Sequence, residues 1–87
     1  MFNAHDIATN IYNLSGEIIG RDTLHNGIEK LTAVNGNTLI FEVDNNNDCT
    51  YSLYFGDENN GDLITIDGFP VCSEDMAVAE LMAVIVS

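Results

Sequence analysis

The chain has almost no positive charge. Its 87 residues include 2 lysine and arginine residues against 14 aspartates and glutamates, and the formal net charge is -12. An ordinary domain carries charge on roughly a quarter of its residues, with both signs represented. Nucleic-acid binding requires lysines and arginines to displace counterions from phosphates. The sequence therefore excludes direct binding to nucleic acid and, because the field repels anionic surfaces, binding to acidic membranes.

Other residue types are scarce as well. Tryptophan is absent, there is 1 proline, and the 2 cysteines, Cys49 and Cys72, do not have metal-ligand spacing. A secretory signal would show a basic start followed by an apolar run, and the sequence does not have this pattern. The longest apolar run, 76–86, is interrupted by Glu80 and is far shorter than the ~20 residues that cross a bilayer. We expect a cytoplasmic protein with two free thiols.

The apolar content predicts a folded chain in spite of the charge. Disordered acidic segments combine high charge with low hydrophobicity, whereas here 46% of residues are hydrophobic and the mean hydropathy is +0.08. Adaptation to high salt is a second explanation for the acidity. The abundant asparagine and isoleucine suggest AT-rich coding, which normally supplies lysine, so the single Lys30 indicates selective depletion of positive charge. We expect one acidic domain over residues 1–87, with a thin core.

Two helices are predicted, one near each end. An apolar stripe with helical spacing predicts the first over residues 3–15. The stripe consists of Ile7, Ile11, Leu14 and Ile18. Ser73 is a typical N-cap residue, and the acids that follow it favour the start of a second helix. Residues 20–30 stay ambiguous between helix and turn, and 83–86 could instead form a strand.

The second helix is apolar on nearly every side. Such a helix is either enclosed by its own fold or pressed against another chain. A small domain has few other elements that could cover this helix, and an apolar patch that stays exposed usually marks an interface. We expect a symmetric dimer as one outcome. Its contact residues would be Met76, Leu81, Met82 and Ile85.

The middle of the chain reads as strands. Residues 31–34 and 38–44 flank Asn35-Gly36-Asn37, which is a strong hairpin signal. The register that keeps one face apolar places Leu31 beside Phe41 and Lys30 beside Glu42. Alternating residues at 50–55 and 63–67 predict two further strands. The fold class is therefore α+β: an N-terminal helix, an antiparallel meander of three to four strands and a C-terminal helix.

The acidic loops do not fit a calcium site. Asp44, Asn46 and Asp48 match positions 1, 3 and 5 of an EF-hand loop, but position 6 is Cys49 where glycine is needed, and the glutamate of position 12 is missing. The loop at 57–62 fails similarly. We interpret both as solvated hairpin loops and expect no metal.

Catalytic signatures are also missing. His5 and His25 are twenty residues apart, and no phosphate-binding glycine loop or nucleophile elbow is present. A cysteine could be activated by a histidine only if folding brought the two together. We expect no catalytic residue and no cofactor, and hence a protein that is not an enzyme.

What remains is binding to a basic protein. In charge, length and lack of motifs, the chain resembles the small acidic inhibitors of phages and other mobile elements, which imitate DNA to block restriction, CRISPR, repair or nucleoid proteins. That resemblance implies an inhibitor acting by protein–protein interaction, with a carboxylate surface that replaces DNA. The residues proposed for this surface are Asp6, Glu17, Glu42, Asp44, Asp48, Asp57, Glu58, Asp62 and Asp67. The alternative is an immunity- or antitoxin-type module that neutralises a basic partner without imitating nucleic acid.

Overall fold

The computed structural model describes all 87 residues as two helices and five strands. In chain order these are α1 (Ala4–Leu14), β1 (Ile18–Thr23), β2 (Glu29–Ala33), β3 (Asn37–Val43), β4 (Asp48–Phe55), β5 (Asp62–Pro70) and α2 (Glu74–Ile85). The strands form one antiparallel sheet in the order β1-β2-β3-β4-β5. The predicted α+β meander with a helix at each end is confirmed, with five strands rather than three to four.

The additional strand is β1, in a region that the sequence left between helix and turn. Ile18 had been placed on the helical stripe, yet it is buried at the start of this edge strand. The pairing of β1 with β2 is irregular between Ile18 and Gly20, which hides the strand's alternation. Asn26 and Gly27 both have positive φ, so the Asn-Gly signal marks a real turn between the two strands.

The register of β2 against β3 differs from the prediction. Leu31 pairs with Leu39, and Lys30 pairs with Ile40 rather than with Glu42. The shift is two residues, and an even shift leaves each side chain on its predicted face. The apolar face was therefore right, while the partner proposed for Lys30 was wrong.

Both helices lie on one face of the sheet and begin at the same end of it. α1 packs across β1, β2 and β3, whereas α2 packs across β3 and β4. The side chain of Asn47, in the β3–β4 turn, accepts a hydrogen bond from the Phe2 N–H at 3.0 Å. Its carbonyl accepts one from the Val71 N–H at 2.7 Å, just before α2. We call this the Asn47 end of the molecule.

The opposite end, which we call the Gly36 end, receives the C-terminus of α2. The side-chain amides of Asn35 and Asn37, on either side of Gly36, donate to the Ile85 carbonyl at 3.0 and 2.9 Å. Asn37 is almost fully buried. These amides satisfy carbonyl groups that a helix end leaves unpaired, and they do so without a positive charge.

The apolar side of α2 is enclosed by the chain's own core. Leu81 and Ile85 are completely buried, and Met82 packs against the same cluster from a half-buried position. Met76 is also half-buried. The prediction that these four residues present an apolar dimer interface is therefore wrong for Leu81 and Ile85, because the sheet covers them. The segment 83–86 continues the helix to Ile85 and forms no strand. Neither helix has the length and apolar character needed to cross a bilayer.

Replacing Leu81 by Ala tests the packing of α2. We expect the free energy of unfolding to fall by about 2–5 kcal/mol, since a fully buried leucine is replaced by a cavity. The matched control is Val86→Ala on the exposed end of the same helix, where a change within about 0.5 kcal/mol is expected. Urea denaturation followed by circular dichroism measures both. Equal losses in the two variants would show that α2 does not pack on the sheet as described.

Candidate acidic interface

The single arginine is used inside the fold. Arg21 Nη2 lies 2.7 Å from Oε1 of Glu29, a carboxylate with no exposed side-chain surface. Arg21 Nη1 donates to Thr9 Oγ1 at 2.6 Å, and Nη2 lies 3.3 Å from His5 Nδ1. The same His5 nitrogen lies 3.8 Å from Glu29 Oε1. Arg21 thus ties α1 to the first two strands.

Sequence reasoning did not find this buried ion pair. Glu29 begins β2, opposite Thr23 of β1 and Phe41 of β3, and its side chain points to the helix-covered face. Its Oε2 makes no hydrogen bond with the protein. A buried carboxylate whose cation is removed becomes strongly destabilising. The only sequence signal was alternation with Leu31 and Ala33, which places residue 29 on the core face.

The single lysine is also paired. Lys30 Nζ lies 2.8 Å from Glu58 Oε1 on the sheet face that the helices leave open, and both side chains are about one-fifth exposed. The hydrogen bond that Lys30 donates to Glu58 raises the pKa of Lys30, and desolvation opposes this rise. The same hydrogen bond is the main reason that the pKa of Glu58 lies below its usual value. The β4–β5 loop is therefore held over this face by a charge pair.

Both cations are consequently committed within the fold, and the surface carries charge of one sign. Every carboxylate except Glu29 is exposed or half-buried. None of these surface carboxylates apart from Glu58 has a lysine or arginine within ion-pair distance. A net charge of this sign and size attracts strongly basic surfaces.

Five carboxylates gather at the Asn47 end. Two belong to the β3–β4 turn and three to the first turns of the helices: Asp44, Asp48, Asp6, Glu74 and Asp75. Both helix N-termini lie here, and their partial positive charge favours nearby anions. One carboxylate also builds its loop, because Asp44 Oδ1 accepts from the backbone N–H groups of Asn46 and Asp48 at 2.8 and 3.0 Å. The turn is held by the acid's own hydrogen bonds rather than by a metal-type arrangement.

A second group lies at the Gly36 end and comprises Glu17, Asp57, Glu58 and Asp62. Asp57 Oδ1 accepts from the N–H groups of Asn60 and Asn59 at 2.6 and 2.7 Å. These bonds, led by that from Asn60, lower the pKa of Asp57. Asp57 and Glu58 therefore shape their loop in addition to charging it, whereas Glu17 and Asp62 are exposed and free of such bonds.

The structure thus separates the nine proposed surface residues into groups. Three of them lie at the Asn47 end, namely Asp6, Asp44 and Asp48. Four lie at the Gly36 end, namely Glu17, Asp57, Glu58 and Asp62. Glu42 and Asp67 lie between the ends, on opposite faces of the sheet, since Glu42 pairs with Thr50 and Asp67 with Tyr51. All nine are exposed except Glu58, which is half-buried. Glu74 and Asp75, at the start of α2, also belong to the set at the Asn47 end. The sequence indicated them only as helix-start residues.

The two thiols are free, as predicted, and differ in their environment. Cys49 is buried and Cys72 is exposed. Burial, with a smaller contribution from Glu42, raises the pKa of Cys49 to about 12. The thiolate is the reactive form, so Cys49 is inert near neutral pH. No group of three or more His, Cys, Asp or Glu side chains is arranged to hold a metal ion.

Substituting the cations separates their roles. Arg21→Met should lower the free energy of unfolding by about 3–5 kcal/mol, because Glu29 keeps a buried charge without its partner. The double variant Arg21→Met/Glu29→Met should recover most of this loss. The matched control Lys30→Met, at the more exposed pair, should cost about 0–1 kcal/mol. Denaturant unfolding of the wild-type protein and of the three variants gives these values, and equal costs for the two single variants would refute the buried pair as the stronger constraint.

Thiol labelling checks the placement of the cysteines. In the native protein at pH 8, an aromatic disulfide reagent should modify Cys72 rapidly and leave Cys49 unmodified. Both should react in denaturant, since unfolding exposes the second thiol. Cys72→Ser is the control and should abolish the fast phase. Rapid native labelling of that variant would show that Cys49 is accessible.

Comparison of the chain with protein-family models, with curated proteins and with solved structures gives no match. The acidic surface is therefore interpreted from its own charge and geometry. One set of acidic residues lies at each end of the sheet, and further acids lie between them on both faces. Every lysine and arginine is paired within the fold.

Proposed function

We propose that this protein is a small acidic inhibitor, of the phage or mobile-element type, that blocks a nucleic-acid-binding protein by presenting carboxylates in place of DNA phosphates. The observation that carries the proposal is the commitment of both cations to pairs within the fold. A surface without free cations presents no local positive region to repel a basic groove. Its partner is a basic protein of the restriction, CRISPR, repair or nucleoid class, and no chemical reaction is required.

The charge density supports imitation of a duplex. Spreading the net charge of -12 along the 32 Å long axis gives one charge per about 2.7 Å. Double-stranded DNA carries one charge per roughly 1.7 Å of axis. The two densities are of the same order, so a groove that holds about 30 Å of duplex meets a comparable number of anions on this protein.

The alternative, a binding module that neutralises a basic partner without imitating nucleic acid, is favoured by one observation. The open face of the sheet has a shallow, mostly apolar groove of about 260 Å³ lined by Ile28, Ile40 and Ile66, by the hydroxyl side chains of Thr50 and Ser52, and by Glu42. An apolar groove contributes to contacts with protein and is not a feature of DNA. The two proposals differ in whether the partner can hold nucleic acid at the same time.

Competition on a captured target tests the proposal. The target is isolated from host lysate on the immobilised protein at low salt and identified by mass spectrometry. We expect DNA or RNA and this protein to exclude one another on it. Affinity should fall steeply with added salt, because exposed charge pairs are screened within about 10 Å at 0.1 M. Formation of a ternary complex at unchanged affinity would overturn the mimic and leave the non-mimic module.

Neutralising three exposed acids tests the role of charge. The variant Glu17→Gln/Glu42→Gln/Asp62→Asn leaves the loop-forming acids intact. Association with the captured target should slow by about tenfold at low salt with little change in dissociation, since exposed charges mainly steer encounter. The matched control, Glu17→Asp/Glu42→Asp/Asp62→Glu, keeps the charge and should associate within about twofold of wild type. Unchanged association of the neutralised variant would place the binding surface elsewhere.

A further inference from the structure

β5 is an open edge strand, and its residues are exposed on both faces. It spans nine residues, and only Phe69 among them is half-buried. Neither helix packs across it, because α2 reaches only as far as β4. Leu63, Ile64 and Ile66 are 51%, 53% and 66% exposed, which makes β5 the element with the largest group of exposed branched side chains. Edge strands of this kind are templates for pairing with another chain.

The hydrogen-bond alternation shows which backbone groups of β5 are free. The Asp44 N–H donates to the Asp48 carbonyl across the β3–β4 turn. Hydrogen-bonded pairs recur at every second residue of an antiparallel ladder. The backbone groups of Thr50 and Ser52 are therefore hydrogen-bonded to β3. The backbone groups of the intervening residues Tyr51 and Leu53 are hydrogen-bonded to β5 instead.

On β5 the partners of Tyr51 and Leu53 are Asp67 and Thr65. Those two residues therefore direct their N–H and C=O groups toward β4. Ile66 and Gly68 direct theirs away from the sheet, into open space. The Gly68 N–H already donates to Asp67 Oδ1 at 2.8 Å. The free groups offered to an incoming strand are therefore the Ile66 N–H and the carbonyls of Ile66 and Gly68.

The side chains beside this free edge differ between the two faces. On the open face, Ile66 lines the groove together with Thr50 and Ser52, and the groove is mostly apolar although Glu42 also lines it. Gly68 has no side chain there, and a Cβ at this position would lie 2.7 Å from the Cys49 carbonyl oxygen. On the helix-bearing face, the exposed carboxylate of Asp67 stands next to Tyr51. An added strand thus meets an apolar surface on one side and an acid on the other.

Pairing of this edge with a second copy of the chain is unfavourable in the two registers that pair Ile66 with itself or with Gly68. If Ile66 pairs with Gly68 of the other copy, the two Asp67 carboxylates lie directly opposite each other, and like charges in that position destabilise. If Ile66 pairs with Ile66, then Pro70, which has no N–H, meets Asp62, and the bulge between Leu53 and Tyr54 disturbs the pairing of Gly68 with Ile64. Either dimer also brings together two chains of net charge -12.

We propose that the β5 edge binds an extended segment of the basic partner by strand addition, with the segment's basic side chains beside Asp67 and its apolar side chains over the Ile66 groove. Main-chain hydrogen bonds supply affinity in this mode, and alternate side chains supply specificity. The occupant is a sequence of alternating basic and apolar residues. This inference deepens the proposed function by naming the contact element, but its test needs neither the target nor DNA.

The probe is a capped heptapeptide in which four lysines alternate with three valines, and its control has the same residues in two blocks. Both peptides carry the same charge, so general attraction is equal. At 0.15 M salt we expect the alternating peptide to bind about tenfold more tightly, because only it can place each side-chain type on the correct face. Chemical-shift changes in amide NMR spectra should concentrate on 63–69. Calorimetry or fluorescence titration gives the affinities.

Three variants sharpen this test. Ile66→Pro removes a free edge N–H without removing a β4–β5 bond, and should abolish the advantage of the alternating peptide. Because proline could disturb the strand, Asp67→Asn provides a second variant and should weaken binding severalfold. Its matched control is Asp22→Asn on β1, the opposite edge, with the same change in net charge and no expected effect.

Equal affinity for the two peptides, or equal effects of Asp67→Asn and Asp22→Asn, would overturn the proposal and indicate diffuse attraction. A dimer mass in sedimentation equilibrium that Ile66→Pro abolishes would show that a second copy occupies the edge instead. Competition with DNA on the captured target is a separate measurement, so this inference can fail while the proposed function stands.

Discussion

The ion pair between Arg21 and Glu29 is the interaction on which the rest of the molecule depends. It fastens α1 to the sheet, and it removes the only arginine from the surface. Lys30 is removed in the same way by Glu58, which also positions the β4–β5 loop. The chain has no other lysine or arginine, so these two pairs leave its exterior without an unpaired one. The fold and the electrostatic character of the surface therefore have a common origin.

Neutral amides satisfy backbone groups at several helix ends, including one where other proteins often use a cation. Neither helix has a basic residue in its last turn, and Asn35 and Asn37 satisfy the end of α2 instead. Asn3 caps α1, and Asn47 joins the starts of both helices to the β3–β4 turn. This use of amides explains how a chain poor in lysine and arginine still satisfies its polar backbone groups. It also leaves the carboxylates at the surface uncompensated.

Local signals predicted the helices well, and long-range contacts account for most of what was missed. The apolar stripe of α1, the cap at Ser73 and the alternation in β3 and β4 are readable over a few residues. The partner of Lys30 lies 28 residues away in a loop, beyond the reach of any local pattern. The register chosen to keep one face apolar was two residues off, because an even shift leaves that face unchanged. Glu29 was not recognised as buried because a carboxylate in a strand ordinarily faces water. The open edge of β5 depends on where the helices stop across the sheet, which no local pattern contains.

The account holds that the surface acids serve binding at the expense of stability, because like charges repel in the folded state. The variant Glu17→Gln/Glu42→Gln/Asp62→Asn allows this to be measured directly, through its free energy of unfolding at low and high salt. The account predicts that the variant is more stable than the wild-type protein at 10 mM salt, and that the difference shrinks at 0.5 M as repulsion is screened. A variant that is less stable than wild type at low salt would contradict it, since these acids would then be needed by the fold itself.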